Sequence, residues 1–566
     1  VSSPNGLTGS CGGGSITATA GSGSVSLSGG TLAGAASFTF SVSVTGTSAG
    51  VKNNSVSVTS TTAGSGNTAT ASITVVAPPQ ITKAFGAASI PLHGSTSLTF
   101  TLSNPNTTVG LSGVGFADTL PAGLAVASPN GLTGVCGGGT ISAAGGSSGV
   151  TLTGAALAAG ATCSLSVNVT GTASGTQLNS VTASSTNGGT GSAGTASLTV
   201  VGPPTIAKAF GGPTVAFGAT TSLTFTVSNP NSGTALSGVG FTDTLPSGLV
   251  IASPNGITGS CGGGSISAPA AGGAISLSGA TLPAAGSCTF SVNVTAVSLG
   301  TQNNTTSAVT STNGGTGGAA TASVQVGRAP TTTSVVAVPS TASFGSAITF
   351  TATVVPAQPN GSGTTPTGSV GFFLDGGTTP VATVPLSGGT ASFTTAGLGA
   401  GSHSVVAVYG GDANFLGSTS ATPATVTVTC ATTVTGSHGS LTVGPGATCL
   451  SGAQISGSVL IHGGAAVDIE NSTISGAISA SGTAGFRLCA STVSGTVTVS
   501  DATGLVVVGD PGDECAGNRI GGSVLVHDNN NGLVALGNQV SGAVDISGNS
   551  APARSRADRL GAPGGR

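Results

Sequence analysis

A 125-residue internal repeat is the feature that most constrains how this chain can fold. The motif "SPNGLTGSCGGGSI" begins at Ser3 and returns with small changes at Ser128 and Ser253. A period of this length is that of a whole domain rather than of one solenoid turn. Alignment of the chain with itself predicts a partial first repeat, truncated at its N-terminal side, and two complete ones: residues 1–77, 78–202 and 203–327.

Alternating apolar and polar residues predict that each repeat is built from β-strands. In "TSLTFTVSNPN", Leu223, Phe225 and Val227 fall on one face of a strand, and threonines fall on the other. Asn-Pro-Asn and Gly-Gly clusters between such stretches are typical of turns. We therefore expect each complete repeat to be an antiparallel, immunoglobulin-like β-sandwich.

The motifs "F-x-D-T-L-P-x-G-L" and "C-G-G-G" resemble a repeat family of unknown function in bacterial envelope and secreted proteins. This resemblance covers residues 1–327 and implies no reaction. Residues 328–429, with "PTGSVGFFLDGG" and "GSHSVVAVYGGDANF", resemble a bacterial immunoglobulin-like domain. Members of that family usually act as spacers or adhesive modules, so the resemblance implies one further sandwich and a position on a cell surface.

From Cys430 onward, a shorter period predicts a different fold. Segments such as "ISGSVLIH" begin at Ile455, Ile474, Val493, Ile520 and Val540, mostly about one coil of a small parallel β-helix apart. The expected fold class is therefore all-β: tandem antiparallel immunoglobulin-like β-sandwiches followed by a short parallel β-helix. The β-helix is expected at residues 430–550, and the basic tail, residues 551–566, is expected to be disordered.

The nine cysteines predict four disulfides and one free thiol. The predicted pairs are Cys136 with Cys163, Cys261 with Cys288, Cys430 with Cys449, and Cys489 with Cys515. The first two pairs have identical spacing in the two complete repeats, and the other two would join adjacent coils of the β-helix. Cys11 is expected to be unpaired, because Phe38 stands where its partner would be. Disulfides in this number indicate export to an oxidising compartment.

Each complete repeat contains one lysine and one aspartate, always 35 residues apart. A structural ion pair, or two solvated charges, is the simple interpretation. The alternative is an intramolecular isopeptide bond of the kind found in Gram-positive surface sandwiches, in which a buried lysine attacks an asparagine amide and a carboxylate catalyses the transfer. The residues concerned are Lys83, Asp118 and Asn179 in the second repeat, and Lys208, Asp243 and Asn304 in the third.

Other polar residues give weaker signals. Asp510, Asp513 and Glu514 could bind Ca²⁺, but their spacing matches no known calcium loop, and a solvated acidic loop is the simpler interpretation. His462 and His527 are predicted to lie three coils apart, too far to share a metal ion. No catalytic residue, metal or cofactor is therefore expected.

Low charge restricts the partners and functions that fit this chain. With 4% charged residues and a net charge of −3, it lacks the basic surface that nucleic acids require, and no stretch is apolar enough for a membrane segment. We expect a non-enzymatic structural or adhesive stalk of an exported bacterial surface or secreted protein, with glycans and matrix or cell-surface proteins as candidate partners. The alternative is a protein that binds or processes polysaccharides through its β-helix, although the carboxylates there scatter over different positions of the coils.

Overall fold

The computed structural model of the chain describes residues 1–511 and 514–550, and every regular element in these ranges is a β-strand. The all-β prediction is therefore confirmed for this part of the chain. Within it, no helix is long and apolar enough to cross a membrane. The predicted disordered tail, residues 551–566, lies outside the described residues.

The second and third repeats share one arrangement, in which sheets of five, five and three strands enclose a hydrophobic core. The strands of the second repeat are Gln80–Phe85, Ser89–Pro91, Ser95–Ser103, Leu111–Thr119, Leu124–Val126, Thr133–Gly134, Thr140–Ser142, Gly149–Leu157, Thr162–Gly171, Gly175–Val181, Ala183–Ser185, Gly189–Thr190 and Gly194–Val201. Those of the third are Thr205–Phe210, Thr214–Ala216, Thr220–Ser228, Leu236–Thr244, Leu249–Ile251, Thr258–Ser260, Ser265–Ser267, Ala274–Leu282, Ser287–Ala296, Gly300–Thr305, Thr310–Ser311, Gly315–Thr316 and Thr321–Gly327.

The pairing register follows the alternation that the sequence predicts. In the third repeat, Leu223, Phe225 and Val227 are fully buried, and Phe225 lies opposite both Lys208 and Phe290 on the two neighbouring strands. Most pairs are antiparallel; the short strand Thr214–Ala216 pairs in parallel with Thr321–Gly327. The first strand of the repeat therefore lies at the edge of one sheet, next to the ring of Phe225.

The first repeat differs because its longest strands are exposed. Its strands are Thr8–Gly9, Ser15–Thr17, Ser26–Ser28, Phe40–Ser41, Gly50–Ser60 and Gly64–Val75. The last two form an antiparallel hairpin on which Val56 and Ile73, the equivalents of Val181 and Leu198, remain 57% and 58% exposed. In the second repeat, the corresponding hairpin buries Val181 and Leu198 against the rest of the core. The described part of the first repeat supplies no strand that covers this face.

Residues 328–429 form a three-stranded and a six-stranded sheet. Their strands are Thr331–Val338, Thr341–Ser343, Ile348–Pro356, Ser369–Leu374, Ala382–Pro385, Thr390–Thr395, Gly401–Tyr409, Ser418–Thr419 and Ala424–Thr429. The core of this segment is continuous with that of the third repeat, since Phe217 and Phe415 pack edge to face with centroids 5.8 Å apart.

The remaining strands form three parallel, six-stranded sheets, which we call the three-sheet region (residues 432–547). One sheet holds Thr432–Val434, Gly446–Ser451, Ala465–Glu470, Gly485–Cys489, Val506–Val508 and Leu533–Ala535; the second holds Ser437–His438, Gln454–Ile455, Thr473–Ile474, Thr492–Val493, Arg519–Ile520 and Gln539–Val540; the third holds Leu441–Val443, Val459–Ile461, Ile478–Ser481, Val497–Ser500, Val524–His527 and Val544–Ser547. Each coil contributes one strand to every sheet, so the arrangement fits the predicted parallel β-helix.

Candidate functional site

The lysine, aspartate and asparagine of the second repeat meet in its interior. Nζ of Lys83 lies 3.0 Å from each carboxylate oxygen of Asp118, and Nδ2 of Asn179 donates a hydrogen bond of 2.8 Å to Oδ2 of the same carboxylate. The three residues come from three different sheets. The side chains of the lysine and the aspartate have no exposed surface. The structure therefore excludes two solvated charges and places an ion pair here.

The third repeat reproduces this site. Nζ of Lys208 lies 2.8 Å from Oδ1 of Asp243, and Nδ2 of Asn304 donates to Oδ2 at 2.7 Å. Both members of the ion pair are again completely covered. The same three residue types thus meet in the same way in both complete repeats; we call these two sites the triads.

Aromatic packing and burial set the electrostatics of the triads. The ammonium groups of Lys83 and Lys208 lie 5.1 Å and 5.8 Å from the ring centroids of Phe100 and Phe225. Burial lowers the pKa of both lysines, although the hydrogen bond and the negative charge of the partner aspartate oppose this shift. A lysine with a lowered pKa gives up its proton more easily and can then act as a nucleophile.

One polar atom of each triad is left without a partner. Among the described residues, Oδ1 of Asn179 and Oδ1 of Asn304 are buried and accept no hydrogen bond. An unsatisfied buried acceptor costs about 1–3 kcal/mol. The triads are therefore not fully satisfied as a non-covalent network.

The structure contains disulfides between Cys136 and Cys163, Cys261 and Cys288, Cys430 and Cys449, and Cys489 and Cys515. Cys11 is free and only 1% exposed, and Phe38, at the position of its missing partner, is 36% exposed. Burial raises the pKa of the Cys11 thiol, which keeps it protonated and weakly nucleophilic.

The Asn-Pro-Asn motif, which the sequence suggests is a turn, holds the junctions between repeats. Asn231 accepts a hydrogen bond from the N–H of Gly202 at 2.7 Å and donates one to the carbonyl oxygen of Gly202 at 2.8 Å. Asn106 binds both backbone groups of Ala77 in the same way. We call these two contacts the junction clasps. Their only sequence signal is the recurrence of the motif at one position of each complete repeat.

The immunoglobulin-like segment contacts the three-sheet region at a buried ion pair that lies within the three-sheet region. Nη1 of Arg487 lies 3.0 Å from Oδ1 of Asp468 and 3.7 Å from Oε2 of Glu470. The other oxygen of Asp468 accepts a hydrogen bond from the N–H of Ala400 at 2.8 Å. Asp468 is only 2% exposed, so these two neighbouring carboxylates are not both available to a substrate. The spacing of 19 residues between Asp468 and Arg487, one coil, is the signal that would have revealed the pair.

A second cluster at this interface was not predicted. Asp375, His403 and Glu514 place ligand atoms within 4.8 Å of one another, and Nδ1 of His403 lies 2.6 Å from Oδ2 of Asp375. Burial on its own would raise the pKa of Asp375, but hydrogen bonds from His403 and the Ser404 N–H outweigh it and lower the pKa. No sequence signal connects these residues, because the fold brings them together from distant positions.

Two of the three residues proposed for calcium, Asp510 and Glu514, lie among the described residues. Glu514 belongs to the cluster with Asp375, whereas Asp510 pairs through its backbone with Cys515. Asp513, the third residue of that prediction, lies outside the described residues.

The two histidines singled out in the sequence are separated by coil pairing. His462 follows the strand Val459–Ile461, and His527 ends a strand of the same sheet three coils further on. Nδ1 of His527 lies 2.8 Å from the hydroxyl oxygen of Ser547 on the next coil.

Two family models match the chain. The model described as "Domain of unknown function (DUF7933)" matches residues 1–75, 79–200 and 204–326. The model of the bacterial Ig-like domain (group 3) matches residues 335–429. These matches confirm both resemblances that the sequence motifs suggested. A search of curated proteins finds no match for the chain.

Several solved structures are similar to parts of the chain. The C-terminal domain of the Streptococcus agalactiae AgI/II polypeptide BspA is 12% identical, with a TM-score of 0.29, and the match covers 44% of this chain and 99% of that domain. The Escherichia coli adhesin FdeC is 17% identical, with a TM-score of 0.23, over 63% of this chain and 99% of that one. The I67–I69 fragment of titin is 12% identical, with a TM-score of 0.27, over 62% and 99%. Scores at this level establish no shared function.

Proposed function

Because its three repeats match the DUF7933 model over more than half of its length, the chain belongs to this family of domains of unknown function, and we propose that it acts as a non-enzymatic stalk. In this proposal, tandem β-sandwiches and a short parallel β-helix form a stiff spacer. The spacer holds an adhesive or structural surface away from a bacterial cell or within a secreted assembly.

The junction clasps are the observation that carries this proposal. A flexible linker between domains exposes its backbone to water, whereas Ala77 and Gly202 have both of their backbone groups bound by an asparagine of the following repeat. Gly314 packs on the same linker, since a Cβ there would lie 2.7 Å from the carbonyl oxygen of Gly202. Fixed junctions are what a spacer of defined length requires.

The disulfides support an extracellular location. Four bridges fix the second and third repeats and the start and middle of the three-sheet region. Disulfides persist in oxidising compartments and are rare in the cytosol. We therefore propose that the protein is exported and exposed at the cell surface or secreted.

Small-angle X-ray scattering of the full chain tests the stalk proposal. The wild-type protein should give the scattering of an elongated particle with one narrow range of maximum dimensions. Asn231→Ala should broaden that range, because the second and third repeats can then move relative to each other. The matched control is Asn303→Ala, an exposed residue of the third repeat, which should leave the profile unchanged. A compact wild-type particle, or a profile that Asn231→Ala does not alter, would contradict the proposal.

A carbohydrate-binding role for the three-sheet region is the second candidate. A groove of about 370 Å³ on this region is lined by polar side chains, among them Ser437, His438, Gln454 and Thr473. Hydroxyl, amide and imidazole groups in such a row can bind sugar hydroxyls. A glycan-array screen of the wild type and His438→Ala tests this candidate: binding that the variant loses would favour it, and no binding by the wild type would remove it. A parallel screen of matrix proteins would separate an adhesive stalk from a simple spacer.

A further inference from the structure

The two triads share features that a structural ion pair does not need. Each contains a lysine, an aspartate and an asparagine whose amide nitrogen donates to the carboxylate while its oxygen, among the described residues, has no partner. Lys83 and Lys208 are two of the only three lysines in 566 residues. The third, Lys52, is exposed and hydrogen-bonded to Ser48. Two of the three lysines therefore occupy the same buried position, one in each complete repeat.

The chain provides its own comparison for a buried ion pair. Between Asp468 and Arg487, the positive group is a guanidinium, which stays protonated and cannot act as a nucleophile. The triads instead use a primary amine, and burial lowers its pKa. An amine that loses its proton to the neighbouring carboxylate becomes a nucleophile, and in each triad the asparagine amide is hydrogen-bonded to that same carboxylate.

We propose that each triad forms an intramolecular isopeptide bond, between Lys83 and Asn179 in the second repeat and between Lys208 and Asn304 in the third. The inference does not depend on the stalk proposal, because it concerns covalent chemistry within one repeat. It corresponds to the second of the two interpretations of the lysine–aspartate pairs that the sequence left open.

The reaction balances without any further reagent. The proton of the ion pair moves from Nζ of Lys83 to Asp118, which leaves a neutral amine and a neutral acid. The lone pair of Nζ adds to Cγ of Asn179, and the negative charge collects on Oδ1. Asp118 gives its proton to Nδ2, to which it is already hydrogen-bonded, and takes one from Nζ. The Cγ–Nδ2 bond breaks, ammonia leaves, and a secondary amide joins the two side chains.

The surroundings favour this outcome over hydrolysis. The lysine and aspartate side chains have no exposed surface, and Asn179 and Asn304 are only 2% and 1% exposed, so water is kept from the reacting carbon. The product is neutral, and it replaces two buried charges whose removal from water is costly. The fold itself therefore drives the reaction once the three strands have met.

The position of the bond gives it a mechanical role. Lys83 lies in the first strand of its repeat, Gln80–Phe85, and Asn179 lies in a late strand, Gly175–Val181. A covalent bond between them carries tension directly from the first strand to this late strand, so the strands between Lys83 and Asn179 are not unfolded. The last strand, Gly194–Val201, lies outside the bond. The disulfide of Cys136 and Cys163 lies entirely within that protected stretch.

Intact-mass measurement of the full chain, reduced and unfolded, tests the inference. The expected mass is below that of the sequence by two molecules of ammonia. Trypsin should then cut after Lys52 and Arg328 but not after Lys83 or Lys208, since a lysine in an isopeptide bond is not a substrate. The second and third repeats should therefore remain in one fragment, from Asn53 to Arg328.

Variants assign the deficit to each triad. Relative to the mass of its own sequence, Lys83→Met should lack only one ammonia, that of the third repeat. Lys52→Met should still lack two. Asp118→Ala should leave Lys83 and Asn179 unlinked, because no group remains to move the proton. If a variant fails to fold, the wild-type mass and tryptic fragments still decide. A wild-type mass equal to that of the sequence, with cleavage after Lys83 and Lys208, would overturn the inference for both repeats; cleavage after one of these lysines would overturn it for that repeat.

Discussion

Replacing Arg487 by methionine should strongly destabilise the three-sheet region. Arg487 is 5% exposed, and its guanidinium lies 3.0 Å from Asp468, which is itself 2% exposed. Without this partner, the Asp468 carboxylate keeps, among the described residues, one hydrogen bond, from the Ala400 N–H. Removing one member of a buried pair costs about 3–5 kcal/mol, because the other charge remains buried and uncompensated.

Hydrogen exchange of the full chain measures this loss locally. Amides of the strands Ala465–Glu470 and Gly485–Cys489 are paired within the sheet, and their exchange should accelerate by roughly 10²- to 10³-fold or more, at about tenfold per 1.4 kcal/mol. Glu470→Gln is the matched control. Glu470 lies 3.7 Å from the same guanidinium with 36% of its side chain exposed, so this change should cost less than about 1 kcal/mol.

Adding Asp468→Asn to Arg487→Met should recover part of the stability, since it removes the uncompensated charge. Exchange in Arg487→Met that is no faster than in Glu470→Gln would refute the argument that burial makes the Asp468 pair the important one. An additive double variant would do the same, because it would show that the two side chains do not interact.

Two further predictions use single reporter groups. The chain has one tyrosine and no tryptophan, so ultraviolet absorbance follows Tyr409 alone. Burial, together with the charge of Asp412, raises the pKa of Tyr409 to about 12, so its titration should fall from that value to about 10 on unfolding. The pKa of Tyr409 is higher in the folded chain than in the unfolded one, so its neutral phenol contributes fully to folding stability below about pH 10, the unfolded pKa. This contribution is lost as the pH rises through about 12. A titration midpoint of about 10 for the folded chain would contradict this. Cys11 should react with a thiol reagent only after the chain is unfolded. The unfolded chain should then show one reactive thiol before reduction of the disulfides and nine after it. A fast reaction of the folded chain would contradict the burial of Cys11.

Much of this architecture could be predicted because the sequence repeats itself. Spacing that recurs at the 125-residue period identified the cysteine pairs of the two complete repeats and the three members of each triad, since a recurring position in so uncharged a chain is itself a signal. Strand alternation likewise predicted which residues are buried, as Leu223, Phe225 and Val227 show. The same approach missed the junction clasps, because the sequence of a turn motif is the same whether its asparagine side chain faces water or binds a neighbouring linker.

Local alternation and recurrence along the chain are enough to predict the all-β class, the repeats and the residue types of the triads. Three-dimensional packing was needed to show that Lys83, Asp118 and Asn179 meet with no exposed surface on the ion pair. It was also needed to show that Asp375 meets His403 and Glu514, and that Asp468 is covered. The triads join strands of three different sheets, and the contacts of Asp375 and Asp468 join the immunoglobulin-like segment to the three-sheet region. Their distances depend on how the sheets pack, and periodicity within one strand carries no information about that packing.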